Sequence, residues 1–187
     1  MPAPNGVGFQ TAPLAADTTM VGPATLDLWV ASTAPVVDLQ ATIAEVRPGT
    51  GQEEYVTSGF LRSSNQVDLP LSTKLFTAPS YLAGDAKSLS ATQYTLVKVP
   101  VDPIAHTFRA GTELRVVVSA PGGDRPSWEF ATVDDGGQTA SVGLGGVTAS
   151  SLVVNVVTGV TATPTLPACG SLRGEPCRTY QALNNQA

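Results

Sequence analysis

The stretch from Val99 to Ser119, V-P-V-D-P-I-A-H-T-F-R-A-G-T-E-L-R-V-V-V-S, constrains the fold more than any other part of the chain. Its second half puts Leu114, Val116 and Val118 on one face of an extended segment and Arg115 and Val117 on the other, the period of two that a strand requires. Its first half runs into Phe108-Arg109-Ala110-Gly111, where the glycine supplies the free torsions of a tight corner. The segment therefore reads as a strand, a corner and a second strand.

The alternation recurs along the chain. Leu26, Leu28 and Val30 share one face, with Thr25, Asp27 and Trp29 on the other. Leu39, Ala41 and Ile43 repeat the pattern ahead of Pro48-Gly49-Thr50-Gly51, which has the residues of a hairpin turn. From Ser63 to Ser90 the chain is polar and interrupted by Pro70, Pro79 and Gly84, so it reads as a long excursion carrying a helical turn at most. Alternation restarts with Tyr94, Leu96 and Lys98 against Thr95, Val97 and Val99. Further strands are expected at 128–133, 139–142 and 152–157, separated by Asp134-Asp135-Gly136-Gly137 and by Gly143 to Gly146. No window carries a sustained helical repeat. The count is about eight strands, and the 18 glycines and 15 prolines supply the turns between them. The fold class is all-β, a two-sheet jelly-roll sandwich spanning 1–160, followed by a Pro-rich, Cys-containing tail over 161–187.

Three segments together resemble the C-terminal, non-catalytic domain of the Xaa-Pro dipeptidyl-peptidase and cocaine-esterase (CocE/NonD) family of α/β-hydrolases. Pro103, Ala105, Phe108, Gly111, Leu114 and Arg115 hold the positions of its P-x-A-x-x-F-x-x-G-H-x-L-R signature, with Thr112 where that pattern has histidine. Ala12 to Ser32 is similar to its P-L-A-x-D lead into a first strand. Val36 to Gly51, followed by Thr57 to Arg62, is similar to D-x-D-x-x-x-x-L-x-x-V-x-P-D-G and then x-x-G-x-L-R, with Val36 and Gly49 replacing two aspartates. The resemblance covers roughly Phe9 to Gly159. It implies a galactose-binding-like sandwich whose partner is the catalytic α/β-hydrolase domain of the same polypeptide. The structural motif would be Pro103, His106, Phe108, Gly111, Leu114 and Arg115.

Charge excludes other classes. A formal net charge of −5, with only 10 Lys and Arg scattered along the chain, is the opposite of the clustered basic surface that phosphate binding needs, so no nucleic-acid partner is expected. The longest apolar run, Leu152 to Val157, is broken by Asn155 and is far short of the roughly 20 residues of a spanning helix, so no membrane partner is expected either. Met1 to Gly6 has neither the basic start nor the apolar run of a secretion signal, and the sequence reads as an excised portion of a longer polypeptide. Cys169 and Cys177 are the only cysteines, and their spacing matches no zinc pattern. A local disulfide and an extracellular or cell-envelope location are the expectation, with two free thiols on the tail as the alternative.

Catalytic chemistry is sparse. No serine has glycines two before and two after it, so the nucleophile elbow of an α/β-hydrolase is missing. His106 is the sole histidine, and in a corner segment it reads as a packing residue whose ring nitrogens bond nearby backbone. Asp134-Asp135-Gly136 lacks the spacing of a calcium loop and reads as a turn. No cofactor is implied.

Trp29 and Trp128 admit two uses, stacking on a sugar ring or covering a neighbouring domain. The leading expectation is an accessory sandwich of a secreted hydrolase, with no catalytic residue of its own. It would pack on the catalytic domain for stability, entrance shaping or oligomer contacts, through a hydrophobic patch on one sheet face. A carbohydrate-binding module is the alternative. A free-standing hydrolase would need His106 within reach of both a serine and a carboxylate.

Overall fold

Ten strands in two antiparallel sheets are found in a computed structural model that describes residues 6–122, 131–133, 136–163, 165–168 and 177–182. The first sheet has the order β1 (Val7–Gln10), β6 (Glu113–Ser119), β3 (Asp38–Arg47), β4 (Gln52–Arg62), β10 (Arg178–Thr179). The second is built on β2 (Thr18–Ser32), which pairs along one edge with β5 (Thr95–Phe108). Its other edge takes β9 (Val156–Val157), β8 (Ser151–Val153) and β7 (Ala140–Val142) in succession.

The alternation read from the sequence sorts the core. Leu26, Leu28 and Val30 of β2 and Val97, Val99 and Val101 of β5 face Leu39, Ala41 and Ile43 of β3 and Leu114, Val116 and Val118 of β6. Each such side chain contributes about 1.5–3 kcal/mol when fully buried. The Pro48 to Gly51 turn joins β3 to β4 as expected, with Gly49 and Gly51 at positive φ. The β2–β5 ladder shifts register between Gly22 and Ala24, where Pro23 faces Asp102 and Pro103. Proline has no N–H to offer a ladder, so a bulge with two residues opposing one falls where both strands carry it.

One expectation needs correction and another lies partly outside the described residues. The candidate strand over 128–133 is described only at 131–133, which form no strand. The candidate at 152–157 splits into β8 and β9, because Asn155 exchanges hydrogen bonds with Val21 at the break. The outward face of the first sheet is not a solvent face. Gln40, Thr42, Tyr55, Ser58, Arg115 and Val117 are all buried there.

The 63–94 excursion contains a single helical turn, Ala83–Asp85. It is pinned to the second sheet by Asp68, whose carboxylate accepts hydrogen bonds from Lys98 Nζ at 2.7 Å and Thr77 Oγ1 at 2.6 Å. Burial by itself raises the Asp68 carboxyl, but these two donors outweigh it and hold the group below its ordinary value. Asp27, across the ladder from Lys98, goes the other way, because burial dominates there.

Candidate functional site

The signature residues converge on one corner of the sandwich. Phe108 ends β5 in the second sheet and Glu113 begins β6 in the first, so Arg109 to Thr112 carry the chain across the core. Gly111 takes φ +83, a conformation that disfavours any side chain. The P-L-A-x-D lead is the partner that holds it. Leu14 N donates to Thr112 O at 2.9 Å and Gly111 N to Leu14 O at 2.8 Å. Asp17 accepts from Ala110 N at 2.8 Å and pairs with Arg109 at 3.2 Å. Two motifs some ninety residues apart thus form one hydrogen-bonded unit.

Glu45 of β3 closes the corner from the opposite sheet. Its carboxylate meets His106 Nε2 at 2.8 Å and accepts Arg109 N at 3.0 Å. His106 also stands edge-on to the buried Phe108, centroids 4.7 Å apart. Burial pushes the Glu45 carboxyl up, but the bonds from His106, the Arg109 amide and Thr112 overcome that, and the group is held below the usual carboxylate range. The His106 ring bonds a carboxylate of the facing sheet and not the nearby backbone that its place in a corner led one to expect. Thr112, in the position where the pattern has histidine, is buried, its hydroxyl shared between Arg109 O at 2.8 Å and the Glu45 carboxylate.

A cavity of about 330 Å³ adjoins the corner, lined by Glu45, Glu54, His106, Thr107, Arg109 and the 160–163 segment. Glu54 is paired with Arg47, whose guanidinium also donates to Pro167 O at 2.7 Å. Among the described residues no serine hydroxyl bonds His106, so the carboxylate and histidine lack the nucleophile that acyl transfer requires. No group of three or more metal-ligating side chains occurs among the described residues.

The remaining signature residue, Arg115, lies on the outward face and is 0% exposed. It pairs with Glu53, also 0% exposed, and donates to Gln181 O at 2.6 Å. Its guanidinium lies 4.7 Å over the Tyr180 ring. Arg178 reaches the second oxygen of Glu53 at 2.5 Å. Pro103 sits at the β2–β5 bulge and Leu114 in the core. No sequence pattern pointed to Glu53, because only the pairing of β10 with β4 brings residues 178–181 over it.

Trp29 is half-buried on the outward face of β2, with the 143–150 loop bonded to its backbone on both sides. Trp128, Cys169 and the Asp134-Asp135 pair lie outside the described residues. Cys177 is disulfide-bonded.

The exposed apolar side chains gather on loops more than on a sheet face. Leu71, Phe76, Tyr81 and Leu82 project from the excursion, the last two 61% and 64% exposed, and Leu144 and Val147 form a second group near β7 and β8. Tyr81 takes φ +53, which a non-glycine residue adopts only at a cost of about 1–3 kcal/mol.

Comparison with solved structures gives the same sandwich. A CocE/NonD family hydrolase from Staphylococcus aureus superimposes with a TM-score of 0.68 at 24% identity, over 81% of this chain and 30% of that one. An alpha-amino acid ester hydrolase matches with a TM-score of 0.60 at 18% identity, over 82% and 26% of the two chains. An aminopeptidase from a marine sediment Thaumarchaeota archaeon matches with 0.59 at 13%, again over 82% and 26%. The chain thus spans less than a third of each of these proteins, and the likeness to them is one of fold. No curated protein sequence matches the chain. The family model of the X-Pro dipeptidyl-peptidase C-terminal non-catalytic domain matches residues 3–144, the stretch that contains the Leu14–Asp17 lead, the Gly59 and Arg62 segment and the whole 103–115 corner. The chain belongs to that family of non-catalytic domains.

Proposed function

We propose that this sandwich is an accessory domain of a serine hydrolase of the X-Pro dipeptidyl-peptidase or acyl esterase type, and that it works by packing against the catalytic domain. The observation that carries this reading is the use made of the signature residues. Asp17, Glu45, His106, Arg109 and Arg115 are all bonded to one another, to Glu53 or to the chain's own backbone, and among the described residues none bonds a nucleophile. What the surface offers instead is a set of exposed apolar side chains along the excursion, Leu71, Phe76, Tyr81 and Leu82, on a segment clamped to the sheet by Asp68 and Lys98. Exposed apolar side chains on a segment so held suit a domain interface, because little conformational entropy remains to be lost on docking.

The galactose-binding-like jelly-roll description belongs to the same reading, as does an oligomer contact through the parent enzyme. A secreted or cell-envelope location is supported by the bonded Cys177.

The test is hydrolysis of an Ala-Pro anilide and an aryl acetate by the chain alone, and by the parent's catalytic portion with and without the chain added. No turnover by the chain alone is expected, with a gain in rate or heat tolerance when the catalytic portion receives it. Turnover by the 187 residues that His106→Ala abolishes would overturn the proposal.

A further inference from the structure

The two long sides of the sandwich differ. Along β4 and β5 the sheets close tightly, with Thr57 Oγ1 donating to Asp102 O at 3.1 Å and Gly59 directly under the Pro100 carbonyl. Along the other side, where β1 and β6 face β8, a cleft of about 260 Å³ stays open between the sheets. Its wall is Phe9, Leu26, Leu28, Leu114, Val116 and Leu152, and its rim is Thr11, Ser150 and Ser151 together with Gln10.

We propose that this cleft binds a small neutral molecule with an apolar body and a carbonyl or ester oxygen at one end. Size and lining select the body. An apolar cavity of about 150 Å³ lined by such side chains stays dry and takes up benzene, and this one holds a ring with a short chain. An apolar wall left facing water costs free energy, and a ligand that covers it removes that area from water.

The rim selects the end group. Ser150 Oγ accepts the Trp29 amide at 2.9 Å and Thr11 Oγ1 accepts the Leu114 amide at 3.2 Å. Both hydroxyls are thereby oriented, and among the described residues neither has an acceptor for its proton. They are donors to which a ligand oxygen can come in place of water. Among the described residues no lysine or arginine lines the cleft, while Glu113 lies beside the rim, bonded to Gln10 at 2.9 Å. A carboxylate would meet repulsion without a counter-charge, and a cation would lose its water against an apolar wall, so the ligand is uncharged.

The experiment titrates the whole chain with 4-phenyl-2-butanone, butylbenzene and 3-phenylpropionate, following methyl resonances. The ketone should shift the Leu26, Leu28 and Val116 signals and bind about fivefold more tightly than butylbenzene, the worth of one hydrogen bond. The anion should not bind. Leu152→Phe should fill the cleft and remove the shifts. If circular dichroism shows that this variant does not fold, Ser151→Trp at the exposed rim serves the same end. Equal binding of ketone and hydrocarbon, shifts confined to the Leu71 and Leu82 signals, or no shifts at all would each overturn the proposal, as would undiminished binding by a folded cleft-filling variant.

Discussion

Gly59 shows what a motif residue in this chain is for. A Cβ placed there would lie 1.8 Å from the Pro100 carbonyl oxygen, so β4 and β5 approach each other only because this side chain is missing. Gly59→Ala should cost about 3 kcal/mol or more through overpacking, lowering Tm by about 6–12 °C in thermal unfolding. The x-x-G-x-L-R pattern was visible in the sequence, but the reason for its glycine was not, since Pro100 is remote along the chain. The arginine of that pattern likewise finds its partner in the retained aspartate of the preceding motif, Arg62 to Asp38 at 2.8 Å. Glu45 carried no signal of its own beyond its place in a strand. Its carboxyl is held low in the folded protein, so its contribution is present above the unfolded carboxylate pKa of about 4.3 and is lost as pH falls through the lower folded value. Glu45→Gln should therefore destabilise most at neutral pH. Its difference from the parent should shrink towards zero in acid, as denaturation curves from pH 7 down to about pH 3 would show.

At the scale of elements, long alternating segments were legible and short ones were not. β2, β3, β5 and β6 announce themselves by period two and by the prolines and glycines at their ends or bulges. β1 has four residues and β10 two, too few for any period to register, and their places follow from pairing with β6 and β4. β10 has a consequence out of proportion to its length, because the residues on and after it cover the Arg115–Glu53 pair. A buried ion pair is tolerable only while its remaining hydrogen bonds are met. Removing residues from Cys177 onward should thus destabilise the domain and make the amides at Gln52 and Glu53 exchange at least about tenfold faster in hydrogen-exchange measurements. An unchanged exchange rate there would mean that β10 contributes nothing to the edge of this sheet. Arg115→Ala should cost about 3–5 kcal/mol in the intact chain, since it leaves Glu53 buried with one partner fewer.

On the scale of the whole molecule, the proposed interface is the excursion. Tyr81→Asp with Leu82→Asp should leave the Tm of the isolated domain nearly unchanged, because both side chains are mostly exposed, yet weaken association with the catalytic portion at least about tenfold in calorimetric titration. Equal association by the double variant would move the interface elsewhere. By itself the sequence determined the all-β class, the core faces of the long strands, the corner at Gly111 and the lack of a nucleophile elbow, because each depends on residues adjacent in the chain or at a fixed short period. Only the tertiary structure decided that Asp17, Glu45 and His106 converge on that corner, that Arg115 is buried on an outward face, and that one side of the sandwich closes while the other stays open. Those outcomes depend on contacts between residues tens of positions apart, whose geometry is set when the two sheets pack and not by any local pattern.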